Sequence, residues 1–339
     1  MFATLPDLLR LFVVPLFVWA AVRDVRTRRL PNRLWPPLYA FGALLLGWEL
    51  ITLWPFAGFV GRLFLVQAAV SLLFVAPLAY AFWYVGAFGG ADAKALIALA
   101  IVFPTFPTYV VAETAFPLVI TDLGVFSLTI LTNTVLLGLA YPIGLAVRNL
   151  GQGERSLSMF LARPVATDSL PDRHGRLFED PDGSTRSGLD LDALRMYLRW
   201  RGATLAELRG NPEQFRDPDS IGETFDPTDG GTHIEPEAAG GTDLKRETHP
   251  EGQTASTSGT GDGEFADPWG AERFLTEIDH SAYGTDAETL RGGLVIVSQK
   301  DRVMVSPGMP FVVPMALGLV VSIVYGDLLF AALGLVGVV

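Results

Sequence analysis

Two aspartates stand where apolar runs meet polar loops. Asp24 closes the run 11–22, and Asp92 follows Gly89-Gly90-Ala91 just ahead of a helix-forming run. An acid beside the bilayer core is costly, so each is first a candidate for function. Two carboxylates brought close share one proton, because both cannot ionise cheaply. The ionised partner then takes a proton from water while the protonated one donates to a peptide carbonyl. That is amide hydrolysis without histidine, cysteine or metal. The sequence has no cysteine, and its four histidines (His174, His233, His249, His280) all lie far from both acids in the chain. No metal and no cofactor is expected. Gly89 and Gly90 are expected to let the chain turn sharply and a substrate backbone come close. Asp92 then falls at a helix N-terminus, where the dipole favours its anion. Plainer roles compete: Asp92 as a helix cap, Asp24 as an interfacial ion-pair partner, and Arg26, Arg28, Arg29 and Arg33 as topology anchors.

The elements that must position this pair are membrane helices. The 339 residues are 50% hydrophobic yet carry a net charge of −11. Between Arg148 and Arg302 lie 29 of the 36 acids and 17 of the 25 bases; the remainder is nearly neutral. The pattern predicts an all-α polytopic membrane protein of about six transmembrane helices with an acidic insert before the last. Residues 1–147 form a five-helix membrane body holding both aspartates, 148–306 the insert, and 307–339 the last helix and apolar C-terminus.

Within the body the spans fall at about 8–22 (interrupted by Arg10), 35–54, 63–85, 93–111 and 124–147. Each approaches the roughly 20 residues that cross the hydrocarbon. Five arginines in 23–33 mark a cytoplasmic loop. The N-terminus is then outside, and Asp24, Asp92 and the insert are cytoplasmic. In the insert, 188–201 reads as an amphipathic helix, Thr204 and Glu207 as a capping box, and Trp269 to Ile278 as helix. Leu294–Val297 with Val303–Val305 reads as a small β-hairpin, and 217–262 as disordered. Asp327 is expected at the outer interface unless the last helix continues to Val339. Three lysines against 22 arginines, with an acidic surface, suggest a high-salt cytoplasm.

Three segments carry a resemblance. Asp24-Val-Arg-Thr-Arg-Arg-Leu-Pro-Asn32 resembles the first catalytic motif of the archaeal type IV prepilin (preflagellin) peptidases, membrane aspartic proteases of the GxGD class. Gly89-Gly-Ala-Asp-Ala-Lys94 resembles the second, with alanine at position 91 for the second glycine. Pro307-Gly-Met-Pro-Phe311-Val-Val-Pro314, with Gly318 and Tyr325-Gly326, resembles the opening of the last helix. Much of the insert, including 189–200, looks like haloarchaeal relatives. The resemblance implies Asp24 and Asp92 as the catalytic dyad, with Arg28, Asn32 and Lys94 beside it. It implies cleavage of the short basic leader from archaellin and pilin precursors at the cytoplasmic membrane face. Those precursors and the lipid bilayer are the expected partners; nucleic acid is not. The competing reading is an ion- or proton-coupled transporter that uses the same acids as a relay.

Overall fold

The structure is a computed structural model. It describes residues 2–337 apart from Glu154, Ser156, 233–264, His280 and Met309. Two compact units emerge. One joins Met1–Gly153 to Met309–Val339; the other is Glu154–Gly308.

The first unit is the membrane body. Its helices in chain order are α1 (Leu5–Arg10), α2 (Val13–Thr27), α3 (Trp35–Leu53), α4 (Gly58–Val70), α5 (Ala76–Tyr84), α6 (Gly90–Val102), α7 (Phe126–Gly138) and α8 (Ala140–Gly151). Among the described residues, four helical runs are long and apolar enough to cross a bilayer: Leu5–Thr27, Asn32–Leu53, Gly58–Tyr84 and Phe126–Gly151. The third contains a π-helical stretch, Ser71–Val75, just before Pro77. Proline lacks the N–H that a regular ladder requires, which accounts for an irregularity there.

The fourth expected span, 93–111, is corrected. Helix α6 ends at Val102 after 13 residues. Pro104 and Pro107 cannot continue it, and the chain turns into β1 (Tyr109–Val111), paired antiparallel with β2 (Thr114–Phe116). At 1.5 Å per residue α6 is about 20 Å long. It is well enclosed: Ala95, Ala98, Leu99 and Ala100 are fully buried. Their small side chains let α3 and α5 approach closely.

Arg10, expected as an interruption, is a hub. It is 1% exposed, and its guanidinium donates to Asp7 Oδ1 (2.8 Å), Glu49 Oε2 (2.6 Å) and the Val102 carbonyl (2.8 Å). Helices α1 and α3 and the C-terminus of α6 therefore meet on one side chain.

The second unit is built around α9 (Leu191–Trp200), with α10 (Leu205–Gly210), α11 (Pro212–Arg216), α12 (Ala271–Glu277) and α13 (Ala287–Gln299). Strands β3 (Arg163–Ala166) and β4 (Arg176–Leu177) flank β7 (Arg302–Ser306) in an antiparallel sheet, and β5 (Glu179–Asp180) pairs with β6 (Gly183–Ser184). So the molecule is mostly helical, with a small sheet in the insert. Asp190 caps α9 by accepting the Asp192 N–H (2.9 Å). The Thr204–Glu207 capping box is present, with reciprocal bonds of 2.7 and 3.2 Å. Tyr197, Trp200 and Phe274 stack into the centre of this unit's core.

Two expectations for this unit are corrected. Leu294–Val297 lies inside α13, not in a hairpin, because the Asp286 side chain caps a 13-residue helix there. The strand 302–306 finds its partners more than a hundred residues earlier. Disorder from 217 is also corrected: residues 217–232 are placed, with the Phe225 N–H on the Trp200 carbonyl (2.9 Å) and the buried Arg195 donating to the Gly230 carbonyl (2.5 Å). The remainder, 233–262, lies outside the described residues, as do His233, His249 and His280.

Glu277 ties this core to pH. It accepts from Trp200 Nε1 (2.8 Å), Arg273 Nε (2.7 Å) and the Thr224 hydroxyl (3.3 Å). Burial pushes its carboxyl up, but the Arg273 and Trp200 hydrogen bonds outweigh burial and hold it below the ordinary glutamate value. A depressed folded-state pKa stabilises above the unfolded pKa, and that contribution is lost as pH falls through the folded value. We therefore expect Glu277→Gln to cost about 1 kcal/mol at neutral pH and to weaken the acid-induced fall in melting temperature. Thermal melts followed by tryptophan fluorescence between pH 7 and 3 check this; parallel curves for both proteins would exclude it.

After the insert the chain returns to the body as α14 (Val312–Val324) and α15 (Leu328–Leu335). Helix α14 packs on α7 and α2. The last helix does not run on unbroken. Gly326, at φ +104°, lets the backbone reach Val119, where any Cβ would strike the Val119 carbonyl oxygen at 1.9 Å. Asp327 then caps α15 by accepting the Phe330 N–H (3.0 Å). At 3% exposure it also accepts from the Thr129 hydroxyl (2.8 Å) and is a buried structural acid.

Candidate active site

Asp24 sits in the last turn of α2 and is 8% exposed. The helix stops because Arg28 takes a left-handed conformation (φ 55°) while its N–H still bonds the Asp24 carbonyl (2.9 Å). That conformation is uncommon without glycine. The Arg29 N–H is held by the Thr27 hydroxyl (3.3 Å).

Asp92 sits in the first turn of α6, half-buried. Its Oδ2 accepts the Gly89 N–H (3.0 Å), which satisfies an otherwise orphan donor at the helix start. Asp92 is therefore a cap in fact. Its carboxylate also lies within the electrostatic reach of Asp24 and of Arg28, and Arg28 acts on Asp24 as well. The fold thus puts two carboxylates and one guanidinium, from the end of α2 and the start of α6, within electrostatic reach of one another.

The glycines act differently from the expectation. Gly89 has an ordinary extended backbone (φ −68°), and the sharp turn is made at Gly86 (φ +75°). What Gly89 provides is space: a Cβ there would lie 3.0 Å from Asp92 Oδ2. Ala91 is the second residue of α6 and is not among the residues with positive φ. Alanine is therefore no strain at this position, and it favours helix over glycine by about 1 kcal/mol.

Lys94 Nζ donates to Asn32 Oδ1 (2.7 Å), and the Tyr39 hydroxyl donates to the Lys94 carbonyl (3.1 Å). These bonds join the start of α3 to the start of α6. On the other side, Phe88 packs on Phe82 (5.0 Å between centroids) and on Phe311 at the start of α14 (4.7 Å). Gly86, Tyr39 and Phe88 are the site-shaping residues that sequence reasoning missed. A glycine three residues ahead of the Gly-Gly pair, next to a run of aromatics, was the available signal for two of them. Among the described residues no group of His, Cys, Asp or Glu is arranged to hold a metal ion.

Residues 11–143, which contain both aspartates, match the type IV leader peptidase family. No curated protein matches the chain. This stretch of the chain is similar to that family, and a membrane protein is consistent with the likeness. The transporter reading is not favoured.

Proposed function

We propose that this protein, whose residues 11–143 match the type IV leader peptidase family, is an aspartic endopeptidase. It removes the short basic leader from archaellin and pilin precursors, and Asp24 and Asp92 activate the attacking water. The observation that carries the reading is that the two acids, 68 positions apart, lie within electrostatic reach of each other at the end of α2 and the start of α6.

In the proposed step the ionised carboxylate removes a proton from water as its oxygen attacks the scissile carbonyl carbon. The protonated carboxyl donates to the carbonyl oxygen. Collapse of the tetrahedral intermediate expels the amine, which takes a proton from the carboxyl that gained one from water, while a gem-diol hydroxyl returns its proton to the carboxylate that first donated. The proton inventory closes on the pair alone. In this reading the N-terminus is outside, and the site and insert face the cytoplasm, where the basic leader of a precursor remains while its hydrophobic segment stays in the membrane.

The test is co-expression with an archaellin or pilin precursor, with leader loss followed by gel shift. Conversion by the wild type supports the proposal, and an uncut precursor alongside ion movement in vesicles sinks it. A finer expectation concerns the turn. Gly89→Ala crowds the Asp92 carboxylate and should slow cleavage about tenfold or more, since displacements near 1 Å can cost that much. Ala91→Gly should leave the rate nearly unchanged and lower the melting temperature instead. Initial cleavage rates on purified, folded variants separate the two.

A further inference from the structure

Lys94 lies two residues after Asp92 on the same helix. Residues at that spacing point away from each other, so Lys94 is not placed to pair with Asp92 along the helix. Its side chain instead reaches across to Asn32 (2.7 Å), which opens the 3₁₀ turn Asn32–Leu34 at the start of α3. Between Thr27 and Asn32 runs the loop Arg28-Arg29-Leu30-Pro31. Its near end is pinned by the Arg28 N–H on the Asp24 carbonyl and by the Arg29 N–H on the Thr27 hydroxyl. Leu30 packs on the body's core. Its far end is pinned by Lys94 on Asn32, and Tyr39, about two turns further along, bonds the Lys94 backbone. The loop carries Arg28, whose charge acts on both aspartates.

An exposed charge-assisted bond of this kind contributes only about 0–1 kcal/mol to stability. Stability is therefore a poor reason for it, whereas geometry is a good one: both ends of a four-residue loop are fixed beside the carboxylates. We propose that Lys94 is a positioning residue, which clamps Asn32 and so holds the Arg28 loop against Asp24 and Asp92. The inference rests on the peptidase reading above and adds a role for a residue pair that does not touch the reacting atoms.

The test is a double-mutant cycle on the full chain in detergent, with a precursor carrying a basic leader ahead of a hydrophobic helix. Asn32→Ala and Lys94→Met should each lower kcat about tenfold while KM stays within about twofold, and the double variant should match either single one. Lys94→Arg and Asn32→Asp, which keep a donor and an acceptor, should recover most of kcat. Effects that multiply in the double variant, a normal kcat in folded Asn32→Ala, or a loss confined to KM would each overturn the clamp. If Lys94→Met does not fold, Asn32→Ala decides alone, since Asn32 is exposed. Failure of the peptidase reading looks different: the wild type itself then leaves the precursor uncut.

Discussion

Asp24→Asn and Asp92→Asn should each reduce leader removal by about 10²–10⁴-fold, with the precursor left at full length in the gel. Asparagine keeps the size of the side chain, and an amide oxygen in place of Asp92 Oδ2 still accepts the Gly89 N–H, so α6 keeps its cap. What disappears is the ability of the pair to hold one proton and pass it. Because the acids act as a unit, the double variant should be no slower than the worse single one. Multiplying effects would show that each acid works alone, and a single variant that cleaves at the normal rate would remove the dyad from the mechanism. Melting temperatures close to the wild type's are part of the expected result; they distinguish lost chemistry from lost fold.

The second large effect lies at the opposite end of α6. Arg10→Leu should destabilise the membrane body by about 3–5 kcal/mol, the usual cost of removing one partner from a buried ion pair. It leaves Asp7 (6% exposed) and the partly buried Glu49 facing each other without a cation, and the Val102 carbonyl loses its donor. Arg10→Lys should recover only part of the loss, because an ammonium cannot reproduce three directed bonds from one planar group. Adding Asp7→Asn to Arg10→Leu should restore some stability by removing one of the stranded charges. Thermal unfolding of the purified protein in detergent measures each step. An unchanged midpoint for Arg10→Leu would mean that the three helices are held by apolar packing alone. Cleavage by whatever fraction stays folded should be near normal, since about 15 Å of helix separates Asp92 from Val102, the α6 residue that Arg10 bonds.

Local features were readable because their causes are local. A threonine with a glutamate three residues later makes the Thr204–Glu207 box wherever that helix sits. An apolar run of membrane length is legible without its neighbours, and so is an acid at its end. The limits of α6 were also written in Pro104 and Pro107, although the apolar composition through Val111 masked them. Leu294–Val297 misled for a different reason. A short β-branched run suits a buried strand or a buried helix equally, and only the Asp286 cap together with burial in the insert core selects the helix.

By itself, then, the sequence determined the membrane character of the chain, the acidic insert and the two aspartates at apolar boundaries, because hydrophobicity and charge act wherever the residues lie. The tertiary structure decided everything that depends on distance through space. It brought Asp24 and Asp92 into reach of one another and made Arg10 a hub for groups 39 and 92 positions away. It buried Asp327 on Thr129 and set Lys94 on Asn32. No periodicity encodes such pairings, because they are properties of how the helices pack.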